Sequence, residues 1–94
     1  MLKRLNPILH SELRLAIISH LVSVGESDFV TIKELTQAAA GNVSIQLKKL
    51  SDVGYLKLIK GYKNNYHHTS VTITTKGIEE FEEYIRVLSQ YINR

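Results

Sequence analysis

The 94-residue chain has no cysteine, no tryptophan, one methionine and one proline. Without cysteine there can be no disulfide, no thiolate metal site and no thiol redox switch. Long apolar runs are also missing. The strongest near the front, Leu15-Ala16-Ile17-Ile18, is far too short to span a bilayer. No basic lead, apolar stretch and small-residue cleavage site occur in succession, so a cytoplasmic location is the expectation. No Gly-rich phosphate loop runs into a lysine, and there is no nucleophile elbow or metal-ligand helix motif. His10 and His20 read as surface or helix-end histidines. His67 and His68, adjacent on a strand, would point to opposite faces and cannot share one ion without a bend. Glu79, Glu80, Glu82 and Glu83 form a solvated helix face. No enzyme activity, metal or cofactor is expected, and the chain shows no internal repeat.

What is present points elsewhere. An apolar content of 44% suits a folded chain. The length suits one domain, 1–94, with a modest core over about 8–75 and a final helix over about 76–92. The net charge is +3, and its distribution is uneven. Residues 1–40 balance four bases (Lys3, Arg4, Arg14, Lys33) against four acids (Glu12, Glu26, Asp28, Glu34). Residues 41–76 carry six lysines (48, 49, 57, 60, 63, 76) against Asp52, net +5. Residues 77–94 set Arg86 and Arg94 against four glutamates, net −2. A positive middle third is the footprint that phosphate contact requires.

Hydrophobic spacing supplies the elements. Asn6-Pro7 can open a helical turn, and Ser11 a second start. Leu13, Ile17, Leu21 and Val24 then recur at helical intervals until Gly25. Glu26-Ser27-Asp28 reads as a turn and Phe29-Val30-Thr31 as a very short strand. Thr31-Ile32-Lys33-Glu34 has the form of a capping box, predicting a helix from Ile32 to about Ala39 that buries Leu35 and Ala38 or Ala39. Ala40-Gly41-Asn42 reads as a tight turn with Asn42 capping the next helix, which ends at Gly54. Two helices so closely joined form a helix-turn-helix.

In that second helix Val43, Leu47 and Leu50 share one side. Ile45, Lys48, Lys49 and Asp52 share the opposite side, with Ser44 on the flank. Short polar groups followed by lysines suit entry into a DNA major groove. Tyr55–Lys60 and Val71–Thr74 have strand character, and the polar stretch 61–68 between them makes a hairpin. Thr75 is read as the cap of the last helix. Its Ile78, Phe81, Ile85, Leu88 and Ile92 alternate at three and four residues, with Tyr84 and Tyr91 beside them. A seam of this kind needs a partner surface, and a second copy of the chain is the expected one.

The order helix, helix, helix, hairpin, helix resembles the small stand-alone winged-helix DNA-binding regulators of the MarR/ArsR type. The pieces that carry the resemblance are Asn6-Pro7-Ile8-Leu9-His10, Arg14-Leu15-Ala16-Ile17, Thr31-Ile32-Lys33-Glu34-Leu35 and Gly41 through Leu50. They continue with Gly54-Tyr55-Leu56, Lys60-Gly61-Tyr62, and Thr72 through Gly77 leading to Phe81. The resemblance covers about Leu5 to Leu88. It implies an α+β, mainly α, winged helix-turn-helix that binds double-stranded DNA sequence-specifically as a homodimer and represses transcription. DNA contacts are expected from Asn42, Ser44, Ile45, Gln46, Lys48 and Lys49 on the helix. On the wing they are expected from Lys60, Lys63, Asn64, Asn65, Tyr66, His67 and His68. Dimer contacts are expected from Ile78, Phe81, Ile85, Leu88, Tyr91 and Ile92. Wings of this group commonly carry arginines, absent here, so backbone contact is expected rather than base readout. The alternative is a winged-helix module for protein contact without specific DNA binding. The sequence names no small-molecule effector.

Overall fold

The computed structural model describes residues 2–93; Met1 and Arg94, the two ends of the expected domain, lie outside them. The elements run α1 (Glu12–Val24), β1 (Glu26–Asp28), α2 (Phe29–Thr36), α3 (Ala40–Asp52), β2 (Leu56–Lys63), β3 (Tyr66–Ile73) and α4 (Thr75–Ile92). The strands form one antiparallel sheet in the order β1-β3-β2. No described helix is long and apolar enough to cross a membrane.

Asn6 opens the N-terminal turn as its side chain suggests, its Oδ1 accepting from the Ile8 amide at 2.8 Å. α1 starts after Ser11, whose hydroxyl makes no capping bond, and ends at Gly25 with φ 84°. Ile17, Ile18 and Leu21 are fully buried, whereas Val24 is exposed. The expected turn at Glu26–Asp28 is in fact strand β1, pairing Glu26 with Thr72 and Asp28 with Ser70. The expected strand at Phe29–Thr31 is the first turn of α2.

The capping-box reading of Thr31 is therefore corrected. Asp28 is the N-cap, its carboxylate accepting from the Thr31 amide at 2.7 Å. An aspartate held extended at the end of a strand is a stronger cap than a threonine. This hydrogen bond, the largest cause, holds the Asp28 carboxyl below its ordinary value. A depressed carboxyl stabilises the fold above its unfolded pKa, and that contribution is lost as the pH falls through the folded value. Asp28→Ala is expected to cost about 1 kcal/mol at neutral pH. In urea titrations the gap between variant and wild type should close in acid.

α2 also stops earlier than expected. Thr36 turns its hydroxyl back to the Ile32 carbonyl at 2.8 Å, and Gln37 takes the left-handed conformation at φ 56°. The turn of the helix-turn-helix is thus 37–39, not Ala40–Asn42. Ala39 stands at the N-cap position, and Gly41 and Asn42 lie in the first turn of α3. Leu35, expected in the core, is 57% exposed.

β2 and β3 run much further than the sequence suggested. The stretch 61–68 is mostly paired strand, with only Asn64-Asn65 as the turn. Both asparagines have positive φ (51° and 67°), the geometry of a two-residue hairpin turn that asparagine tolerates well. α4 is capped by Thr74 rather than Thr75, its hydroxyl accepting from the Gly77 amide at 3.0 Å.

The core is assembled from Leu9, three residues of α1, Ile32, the inner face of α3 (Val43, Leu47, Leu50), Tyr55, Leu56, Val71 and Tyr84. Phe81 and Leu88 pack against this cluster, so part of the α4 seam is used within the chain. Ile85 (44%) and Ile92 (71%) remain exposed. The N-terminal segment is tied to α4 as well. Lys3 reaches Glu83 at 3.0 Å, and Tyr91 donates to the Lys3 carbonyl at 2.7 Å. Arg86 first, and Lys3 second, bring the Glu83 carboxyl down to about 2.

Candidate nucleic-acid interface

α3 buries Val43, Leu47 and Leu50 and leaves Asn42, Ser44, Ile45, Lys48 and Lys49 exposed. This follows directly from the 3.6-residue period: anchoring one side in the core turns the other outward. Ile45, 56% exposed, is an apolar point on a polar face. Lys48 forms an exposed i,i+4 ion pair with Asp52 at 3.0 Å.

The wing stands beside this face. A groove of about 500 Å³ separates α3 from the hairpin, with Ser44 and Lys48 on one side and Lys60, His67 and His68 on the other. Phe29, Leu47 and Leu58 contribute apolar lining. Lys63, Asn64, Asn65 and Tyr66 crown the exposed tip. The Tyr62 and His67 rings lie 4.8 Å apart across the strands and brace it. Of the expected contact residues, Ser44, Lys48, Lys60, His67 and His68 share this groove, whereas Asn42, Ile45, Gln46, Lys49, Lys63, Asn64, Asn65 and Tyr66 lie outside its lining.

One feature of the site has no signal in the sequence. Arg14, on α1, donates from Nε to the Ile8 carbonyl at 2.6 Å and from Nη1 to Gln46 Oε1 at 2.7 Å. Gln46 Nε2 in turn donates to Asn42 Oδ1 at 2.9 Å. Gln46 is accordingly half-buried, unlike its exposed neighbours on α3. His10 and His20 are engaged elsewhere, with the Tyr84 hydroxyl at 2.9 Å and the Ser27 hydroxyl at 3.0 Å.

A helix with an apolar back and a cationic front, held next to a β-finger, defines a winged-helix DNA-binding protein. Residues 13–92 match the family described as winged helix DNA-binding domain, and the chain belongs to that family. It is 30% identical over 83 residues to the uncharacterized protein MJ0432 of Methanocaldococcus jannaschii, spanning 88% of this chain and 90% of that one. A transcriptional regulator homologue from Pyrococcus horikoshii OT3 superposes with a TM-score of 0.85 at 27% identity, covering 92% of this chain and 85% of that one. A MarR variant from E. coli, solved in complex with operator DNA, shares the fold at a TM-score of 0.76 and 15% identity. It covers 93% of this chain and 61% of the longer one. The family is thus one of DNA-binding domains, and the two solved structures are a transcriptional regulator homologue and a MarR variant bound to operator DNA.

Proposed function

We propose that this protein binds specific double-stranded DNA sequences as a homodimer and represses transcription in the cytoplasm. The observation that carries the reading is the shared groove, where Ser44 and Lys48 of α3 face Lys60, His67 and His68 of the wing. Lysines on two elements facing one gap suit a phosphate backbone running between them.

In this reading each subunit lays α3 in a major groove. Ser44, Ile45 and Lys48 meet base edges, with Ile45 suited to a thymine methyl and Lys48 to guanine acceptors. Asn42, Gln46 and Lys49 sit at the groove margin, and the wing residues Lys60 through His68 follow the backbone. The dimer closes through α4. Its exposed Ile85 and Ile92 supply free apolar surface, and Ile78, Phe81, Leu88 and Tyr91 flank them. Two-fold symmetry then spaces the half-sites by about one helical turn, ~34 Å.

Selection from a random duplex pool tests sequence preference and symmetry together. A palindromic consensus is expected; recovery of unenriched sequence, with no salt-dependent gel shift on random duplex, would favour a protein-contact module. That second reading draws on Val30, an exposed apolar residue at the rim of the groove, but it leaves the flanking lysines without a task. Lys63→Ala should weaken binding evenly across sequences and lower the salt slope by about one unit per subunit. Unchanged affinity at low salt would remove the wing from the interface.

A further inference from the structure

We propose that Arg14 is a positioning residue that sets which hydrogen-bonding pole Asn42 turns toward DNA, an inference that rests on the DNA-binding reading above. A guanidinium carries donors and no acceptor. The Gln46 atom 2.7 Å from Arg14 Nη1 must therefore be the amide oxygen. That places the Gln46 nitrogen on the other side, 2.9 Å from Asn42. An amide nitrogen only donates, so the Asn42 atom it meets must also be the oxygen. The polarity of the whole relay is thus imposed from α1, and Arg14 is itself anchored by its 2.6 Å bond to the Ile8 carbonyl.

The consequence falls on the exposed end. Asn42 has its oxygen directed along α3 to Gln46, and its NH2 group has no partner among the described residues. An asparagine or glutamine reads adenine by presenting both poles to one base, the nitrogen to N7 and the oxygen to N6. With one lone pair of its oxygen given to Gln46, Asn42 offers two N–H donors against a single remaining acceptor site, and its amide plane is set by Gln46 rather than by a base. The donor pole therefore dominates the exposed end of the relay and favours acceptors: guanine, thymine O4 or a phosphate oxygen. Adenine is disfavoured at the base pair nearest the groove margin where Asn42 sits.

Selection from random duplex with wild type, Arg14→Met, Arg14→Lys and Gln46→Glu tests this. Arg14→Met removes the donors and lets both amides rotate. Gln46→Glu keeps an acceptor for Arg14 but donates nothing to Asn42. In both variants, adenine is expected to gain about tenfold at that one half-site position, with the rest of the consensus unchanged. Arg14→Lys, which retains a donor, is expected to keep the wild-type preference. An unaltered consensus in both Arg14→Met and Gln46→Glu overturns the proposal, as does an adenine already selected there by wild type and lost in Asn42→Ala. If Arg14 serves the fold alone, Arg14→Met weakens all sequences equally, which also overturns it. Should Arg14→Met fail to fold, Gln46→Glu decides. A wild type that enriches no sequence sinks the DNA reading itself and is thereby distinguished from a failure of the relay.

Discussion

Gly77→Ala is expected to lower the thermal midpoint by roughly 10–20 °C, the equivalent of ~2–3 kcal/mol for a domain of this size. In most helices the same change stabilises by up to ~1 kcal/mol, because alanine is the better helix former. Here sterics oppose propensity and win. A Cβ at Gly77 would stand 2.1 Å from the Tyr55 carbonyl oxygen and 3.0 Å from its carbon. These are backbone atoms, held from several directions. The Thr74 amide donates to that same Tyr55 oxygen at 3.2 Å, the Tyr55 amide donates to the Leu50 carbonyl at 2.9 Å, and the Thr74 hydroxyl donates to the Gly54 carbonyl at 2.7 Å. The end of α3 and the start of α4 are thus locked together at Gly77, and an added methyl group must push them apart. Overpacking of this kind costs about 1–3 kcal/mol and occasionally more. Gly41 is the control. It also lies in a helix, but nothing stands within 4 Å of its missing Cβ. Gly41→Ala should therefore raise the midpoint. Circular dichroism melts of the two variants decide the point, and a Gly77→Ala protein as stable as wild type would refute the close approach.

Lys48→Glu is expected to leave the fold intact and reduce affinity for the selected DNA site on the order of 100-fold. The fold should not respond because Lys48 is exposed and its pairing with Asp52 is a surface ion pair, worth at most ~1 kcal/mol. Binding should respond because the substitution acts twice over. It removes a donor from the helix face proposed to meet the bases, and it places a second carboxylate beside Asp52 where the proposed reading brings phosphates close. In the proposed homodimer both half-sites would suffer at once. Fluorescence anisotropy at two salt concentrations separates the contributions, since the electrostatic part fades as salt rises. Equal affinity of wild type and Lys48→Glu at low salt would take the outer face of α3 out of the interface, whatever the rest of the molecule does.

The residues behind these two expectations differ in how plainly the chain announces them. Lys48 could be assigned to an outer face from spacing alone, because Val43, Leu47 and Leu50 mark the inner one. Gly77 could not be singled out, because its partner, the Tyr55 carbonyl, lies 22 residues earlier and is brought close only by packing. The start of α2 shows the same limit. Thr31 heads a plausible capping box, yet the cap falls to Asp28 because Glu26–Asp28 pairs with Ser70–Thr72. A three-residue strand whose partner is more than 40 positions away leaves no local periodicity. The wing was underestimated for a related reason. From Gly61 to His67 every residue is exposed, so no alternation of apolar and polar residues betrays a strand. Cross-strand hydrogen bonding and the Tyr62–His67 ring contact hold it.

Local pattern was enough to settle the class of fold, the order of helices and hairpin, and the face of α3 turned to solvent, since helical periodicity and clustered lysines are properties of neighbouring residues. Folding in three dimensions decided the rest: the third strand, the start of α2 that it sets, the tight joint at Gly77, and the anchoring of the Gln46–Asn42 pair by Arg14. Each of these joins residues distant along the chain, and contacts of that kind exist only once the core has brought them together.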